Sequence, residues 1–347
     1  FSTVLIWTLT IALGLLGGAA MDAVHVPLAW LLGSLISVAF VSLMGGRLAM
    51  PPGARQAGQI ALGTAIGLTF TQEVAAFVVG FLPIMIVSAI LSIGYGVIAG
   101  RALAKTSGVD DATAFFSSVP GGVVEMSVQA ERYGGDTAPV SLAQSLRILL
   151  VVTTIPPVIT VLGLTGVDPF ELRILPVEPL NLMLLLAAAF GAGWLLNRRK
   201  IANAWFLGPM SVAVVLGISG IELSGMPNEV VIFAQVMMGC TLGLRYQRDR
   251  VVALRRFLLP ALLSTVILVG LNVATGAGIG VLFDLPIPTM ALAVSPGGMA
   301  EMSITAKVLH LGVPIVVAFH VVRIFLVIGF TGIIFRKLFP NAGKAGA

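Results

Sequence analysis

Apolar residues gather into long runs from one end of this chain to the other. Ten runs near the ~20-residue length that crosses a bilayer fall at 3–20, 26–44, 56–72, 75–100, 139–163, 180–196, 203–220, 229–244, 257–280 and 312–335. They predict an all-α integral membrane protein. The polar stretches between them are short. The longest, 164–179 and 245–256, leave no room for a soluble DNA-binding module or a large catalytic domain. The first run is not read as a signal peptide, because it has a repeat partner later in the chain.

Two apolar segments are broken by the same motif. Pro120-Gly121-Gly122-Val123-Val124-Glu125-Met126-Ser127 returns as Pro296-Gly297-Gly298-Met299-Ala300-Glu301-Met302-Ser303, an offset of 296 − 120 = 176 residues. The offset extends well beyond the motif. Gln59-x3-Gly63-x3-Gly67-Leu68 maps onto Gln235-x3-Gly239-x3-Gly243-Leu244, Arg147 onto Arg323, Gln144 onto His320 and Thr113 onto Thr289. Ala29-Trp30-x2-Gly33 matches Ala204-Trp205-x2-Gly208 at an offset of 175. Internal duplication therefore divides the chain into a first repeat over 1–165, a connecting loop over 166–179 and a second repeat over 180–337.

Loop charge predicts the relative direction of the repeats, since cytoplasmic loops carry an excess of Lys and Arg. Basic 45–55 corresponds to 220–229, which holds Glu222 and Glu229 and no base. Basic 245–256 corresponds to 70–76, with Glu73 alone, and basic 197–201 to 21–25, with Asp22 and His25. Opposite character in each pair predicts two inverted repeats, each crossing the membrane an odd number of times. About five transmembrane helices per repeat satisfy that count if 110–133 and 287–310 are re-entrant hairpins, entering and leaving on one face. Arms of about ten residues reach ~15 Å each. The Pro-Gly-Gly tips then lie near the middle of a ~30 Å hydrocarbon core.

Composition agrees. The chain is 58% hydrophobic and 10% charged, with a mean hydropathy of +1.05, against about 25% charged in soluble domains. A net charge of +5 is what basic cytoplasmic loops produce and does not call for nucleic acid. Cys240 is the one cysteine, which excludes an intramolecular disulfide framework and a Cys-based metal site. His25, His310 and His320 lack metal-ligand spacing, and there is no Walker motif. No cofactor or metal is expected, no catalytic residues are assigned, and the chain is not expected to be an enzyme.

The candidate chemistry lies at the broken segments. Irregular backbone at membrane depth is tolerated only where it lines a cavity in the protein. Pro120 and Pro296 suit the first turn of a helix. Gly121, Gly122, Gly297 and Gly298 let a ligand approach the backbone, and helix starts favour an anion. Ser117, Ser118 and Ser295 add hydroxyls. With Arg147 and Arg323 at similar depth, these residues form the candidate substrate site. Glu125 and Glu301 each need a partner, a proton or a cation there. Together with Gln144 and His320, three residues before each arginine on the same helix face, they form the candidate ion-coupling group. Two readings stay open. Either Glu125–Arg147 and Glu301–Arg323 are ion pairs bracing each hairpin, or the arginines bind a substrate anion while the glutamates carry H+ or Na+. The glycines that follow Gln59 and Gln235 read as a small-residue packing face.

The twice-repeated Pro-Gly-Gly-x-x-Glu-Met-Ser, each copy followed by an Arg-bearing helix, resembles the bacterial membrane AbrB duplication family over essentially the whole chain. Members carry the labels of a transcriptional regulator and of an ammonia monooxygenase. The first label shares its name with a small soluble DNA-binding regulator that this chain does not resemble. The resemblance implies kinship with inverted-repeat secondary transporters such as the sodium/glutamate symporters, which pair a scaffold with a mobile core. The expectation is a secondary transporter moving a small organic anion across the bacterial inner membrane by alternating access, with H+ or Na+ coupling. A membrane sensor that alters gene expression without transport is the alternative, and ammonia oxidation ranks last. Lipid and a small-molecule substrate are the expected partners, nucleic acid is not, and a homo-oligomer is compatible with this reading.

Overall fold

The computed structural model describes residues 3–164 and 175–340. Most of the expected connecting loop 166–179 lies outside them. The described helices fall into two series of eight in the same order. The first series is α1 (Thr3–Ala23), α2 (Ala29–Leu43), α3 (Ala54–Gly67), α4 (Gln72–Gly80), α5 (Leu82–Ser107), α6 (Asp111–Ser118), α7 (Val123–Arg132) and α8 (Thr137–Val161). The second is α9 (Pro179–Arg198), α10 (Ala204–Ile218), α11 (Asn228–Gly243), α12 (Arg248–Ala253), α13 (Arg255–Leu282), α14 (Ile287–Val294), α15 (Met299–Val308) and α16 (Val313–Leu338).

Matched elements have matched lengths: 15 residues in both α2 and α10, 8 in both α6 and α14, and 10 in both α7 and α15. Backbone conformation repeats as well. The positive φ of His25, Leu28 and Gly45 recurs 175 residues later at Lys200, Asn203 and Gly220, and that of Gly108 and Gly134 recurs 176 later at Asp284 and His310. A left-handed residue with a Cβ is costly. Its recurrence at equivalent positions therefore records a shared chain path and not a local side-chain preference.

Six helices, α1, α5, α8, α9, α13 and α16, are long and apolar enough to cross a membrane, and the chain is a multi-pass membrane protein on that basis. The other expected spans are shorter. Helices α2, α3, α10 and α11 have 14 to 16 residues, which covers ~21–24 Å of a ~30 Å core. The expected span at 75–100 divides in two: α4 turns 93° from α3, and α5 starts afresh at Leu82. Hydropathy does not register this break, because Phe81-Leu82-Pro83 stays apolar while Pro83 takes an early position in α5.

Two compact units cut across the repeats. One comprises Phe1–Gly80, Val167–Arg248 and Ser303–Pro314, the other Phe81–Gly166, Asp249–Met302 and Ile315–Ala347. Within the first, α1 packs on α2 and α9 on α10, while α3 lies against α10 and α2 against α11. Glycine permits these approaches. A Cβ on Gly63 would stand 2.5 Å from the Phe206 carbonyl oxygen, and one on Gly67 the same distance from that of Met210. A Cβ added to Gly239 or Gly243 would stand 2.5 or 2.7 Å from the Leu31 or Leu35 oxygen. The glycines after Gln59 and Gln235 are thus a helix-packing face, as their spacing predicts.

Within the second unit, α5 packs on α6 and α13 on α14, α5 lies along α13, and α8 is set against α6, α7 and α13. Its core gathers Phe115, Phe116, Val119, Met126, Val140 and Phe335. Phe116 stacks on Tyr133 with ring centroids 5.7 Å apart. The Tyr133 hydroxyl donates to the Gly332 carbonyl at 3.3 Å. These contacts fix α6 and the end of α7 against α16.

Candidate functional site

Helices α6 and α7 are short because Pro120-Gly121-Gly122 cannot continue a helix. Asp110 caps α6, its carboxylate accepting from the Thr113 N–H at 2.8 Å and the Thr113 hydroxyl at 2.5 Å. The same Thr113 oxygen accepts the Asp136 N–H at 2.7 Å, and Asp136 caps α8 through the Ala138 N–H at 2.9 Å. The chain therefore leaves this segment beside the point where it entered. Thr113→Val keeps the shape and removes the hydroxyl, stranding the Asp136 N–H. A loss of ~1–2 kcal/mol is expected, read as a lower unfolding temperature in detergent, with Thr113→Ser close to the wild type.

The last carbonyls of a helix have no partner within it. At α6 a side chain from α8 supplies one: Gln144 Nε2 donates to the Phe116 and Val119 oxygens, each at 2.8 Å. Gln144 Oε1 accepts in turn from Arg147 Nη1. Arg147 then donates through Nη2 to the Gly121 carbonyl at 2.8 Å and through Nε to the Pro296 carbonyl at 2.7 Å. A single guanidinium thus holds both tips. Gln144 and Arg147 are both buried.

At the second tip Arg323, on α16, donates through Nη1 to the Ser295 oxygen at 2.6 Å and through Nη2 to the Gly297 oxygen at 3.0 Å. A longer contact runs from Nη1 to the Val294 oxygen at 3.4 Å. Ser295 and Gly297 are the equivalents of Val119 and Gly121 at the 176-residue offset. His320, although equivalent to Gln144, makes different contacts: its Nδ1 lies 2.8 Å from the Val316 carbonyl oxygen.

Of the two pairings weighed from the sequence, that between Glu125 and Arg147 is not formed among the described residues. The donors of Arg147 go to two carbonyls and Gln144, and the bonded donors of Arg323, Nη1 and Nη2, go to carbonyls. The physical reason lies in the helix breaks. Each break exposes several carbonyls carrying the partial negative charge of a helix end, and a rigid fork of five N–H donors satisfies several at once.

The glutamates fold back on their own helices. A Cβ on Gly122 would overlap Glu125 Oε2 and lie 2.7 Å from its Cδ, and one on Gly298 would overlap Glu301 Oε2 and lie 2.9 Å from its Cδ. Each glutamate is third in its helix. From there a carboxylate reaches back toward the first N–H groups and meets the positive helix end. Glu301 is buried and Glu125 half-buried. The preceding glycines have a matching cause: a Cβ on Gly121 would lie 2.6 Å from Met126 Cγ, and one on Gly297 2.5 Å from Met302 Cγ. The motif is thus two internal contacts, with the first glycine under the methionine and the second under the glutamate. A ligand approaching these glycines has first to displace those side chains. The recurrence of Met126 as Met302 is a signal in the sequence to which no role was attached.

Two of the three candidate hydroxyls are engaged inside the unit, whereas the buried Ser117 Oγ has no partner among the described residues. Ser118 Oγ is 3.4 Å from Ser264 Oγ on α13, and the Ser295 hydroxyl donates to the Leu292 carbonyl at 2.9 Å. Among the described residues, no three of His, Cys, Asp and Glu converge as metal ligands would.

The family described as transition state regulatory protein AbrB matches residues 30–339. The chain is 28% identical to "Uncharacterized protein YhjN" of Bacillus subtilis (strain 168), across 96% of this chain and 93% of that protein. It is 26% identical to "Putative regulator AbrB" of Escherichia coli (strain K12), with 94% of each covered. Since the matched span takes in most of the chain, including both Pro-Gly-Gly tips and both arginines that hold them, the protein belongs to the AbrB family.

Proposed function

We propose that the protein is a secondary transporter of the bacterial inner membrane, moving a small organic anion by alternating access with H+ or Na+ coupling. One observation carries the reading: broken segments from the two halves meet at their tips, where Arg147 bonds the Gly121 and Pro296 carbonyls at 2.8 and 2.7 Å. Paired discontinuous helices from inverted repeats are how such transporters bring backbone groups to the middle of the membrane. The bond between Asp136 and Thr113 supports a re-entrant path for 110–133. The opposite charges of equivalent loops support inversion. The division of each repeat between two units supports a scaffold and a mobile core.

Coupling follows from the folded-back glutamates. A solute anion taking the place of Glu125 or Glu301 at a helix start would release that carboxylate to take up H+ or Na+. Anion and cation would then occupy the core together, and the added charges offset one another. No catalytic step is assigned to the chain. In liposomes with an imposed H+ or Na+ gradient, the purified protein should accumulate at least one labelled carboxylate, and Glu125→Gln should remove the dependence on the ion. Folded protein that moves no carboxylate or amino acid under either gradient would sink the transport reading.

The name of the Escherichia coli relative, "Putative regulator AbrB", favours a second reading, in which ligand binding at this site alters gene expression without flux. That reading requires an effector protein. It predicts that a regulator co-purifies with the chain and that ligands bind without being moved.

A further inference from the structure

We infer that the second tip carries a polar subsite, formed by Asn272, His320 and Arg323, for a primary carboxamide or ureido group. The inference rests on the proposed solute site and narrows its substrate to a small anion that also bears such a group. Among the described residues, three polar atoms at the level of this tip are buried without a partner: Asn272 Oδ1, His320 Nε2 and Arg323 Nε. Asn272 and His320 are 0% exposed and Arg323 6%, whereas buried polar groups are as a rule hydrogen-bonded.

Each of the three is set at the level of the second tip. Arg323 is fixed at the tip by its bonds to Ser295 and Gly297. His320 is three residues earlier, on the same face of α16. Its counterpart Gln144 reaches the Phe116 and Val119 carbonyls, which correspond to those of Leu292 and Ser295. Asn272 belongs to the stripe of α13 that lies on α14. Along that stripe Gly280 meets Ile287, and Gly276 meets Met290 and Ala291. One more turn back brings Asn272 level with Val294 and Ser295. The first repeat sets the same level: a Cβ on Gly96, the counterpart of Asn272, would lie 2.7 Å from the Cα of Val119, the counterpart of Ser295.

The sense of each open atom is determined by its neighbours. Asn272 Nδ2 donates to the Leu268 carbonyl at 2.8 Å, so the amide oxygen is the open end and accepts. His320 Nδ1 faces the Val316 carbonyl oxygen, which only accepts. In the neutral ring that nitrogen therefore carries the hydrogen, and Nε2 is left as an acceptor. Arg323 Nε–H only donates. Two acceptors and one donor complement a primary carboxamide, which offers two N–H groups and one carbonyl. A carboxylate answers neither acceptor, and an ammonium does not answer Arg323. The first tip has no such set: Gly96 stands for Asn272, Gln144 caps carbonyls, and Arg147 Nε is bonded to Pro296.

A fixed water has the same hydrogen-bonding sense, and the experiment separates the two. Oxamate, malonamate and succinamate are titrated into the purified full chain in detergent, each against its N,N-dimethyl amide, by calorimetry and thermal shift. The subsite predicts at least tenfold tighter binding of one primary amide than of its dimethyl form. It also predicts loss of that preference in Asn272→Leu and in His320→Phe. Equal binding across all three pairs, the result for a fixed water only, overturns the proposal, as does a preference that survives in a folded variant. If neither variant folds, the wild-type comparison decides. Flux is scored separately: amide preference without uptake retains the subsite and removes the transport reading, whereas uptake of another anion without amide preference does the reverse.

Discussion

A protein carrying Arg147→Met melts far below the wild type, with a loss on the order of 2–6 kcal/mol, about 1–3 for each of the two carbonyls left unpaired, and on the transport reading it moves no solute. The guanidinium is the common partner of the Pro296 carbonyl, the Gly121 carbonyl and the Gln144 side chain. Methionine fills similar volume and donates to none of them. Inside a membrane there is little water to take over, so the two carbonyls are left unpaired and Gln144 loses the contact that orients it toward α6. Arg147→Lys keeps the charge but replaces a fork with a single point, and one ammonium does not span two tips. Its loss should be intermediate. Arg323→Met should disturb the second tip alone, because every hydrogen bond described for Arg323 goes to that tip. Thermal unfolding in detergent, paired with limited proteolysis read at 119–122 and 295–298, measures both effects. Arg147→Met melting with the wild type, both tips protected, would show that the carbonyls find other donors.

The second large effect is steric. Gly122→Ala places a methyl group where the Glu125 carboxylate lies, and the carboxylate has to leave the helix start. Overpacking costs ~1–3 kcal/mol, and the displaced charge puts this site at the upper end. Glu125→Ala introduced into Gly122→Ala removes the obstacle. The double variant should recover part of the loss, with a coupling of ~0.5–3 kcal/mol. The same cycle is expected for Gly298 and Glu301. If the two changes simply add, the glutamate does not rest on the glycine in the membrane. Since proposed coupling requires the carboxylate to leave this position, Gly122→Ala should also weaken the dependence of uptake on the ion gradient.

Much of the candidate site was legible because duplication marks it. Two copies of Pro-Gly-Gly-x-x-Glu-Met, each followed by a buried arginine, single out residues that all fall within the second unit. The role of the methionine was not legible. A Met in an apolar helix looks like core, and only the placed backbone shows Met126 filling the space over Gly121. Asn272 was missed for a related reason: its counterpart is Gly96, so comparing the repeats erases it. Equivalence also misled in one direction. Gln144 and His320 share a position, yet one caps a helix and the other leaves a ring nitrogen open, because an amide reaches carbonyls that an imidazole does not.

By itself the sequence determined the class of environment, the internal duplication and the two Pro-Gly-Gly breaks, but not the break between α4 and α5. These are properties of local composition and of backbone conformations that particular residues permit, and a repeat reports them twice. Tertiary structure alone decided where the arginines bind, which glycine each side chain covers, and how both repeats divide between two units. Those outcomes are choices among competing partners. A guanidinium in a membrane interior has several acceptors within reach, carboxylates and carbonyls alike, and spacing along the chain does not rank them. The ranking came from the helix ends that two broken segments, 176 residues apart in sequence, bring to one arginine.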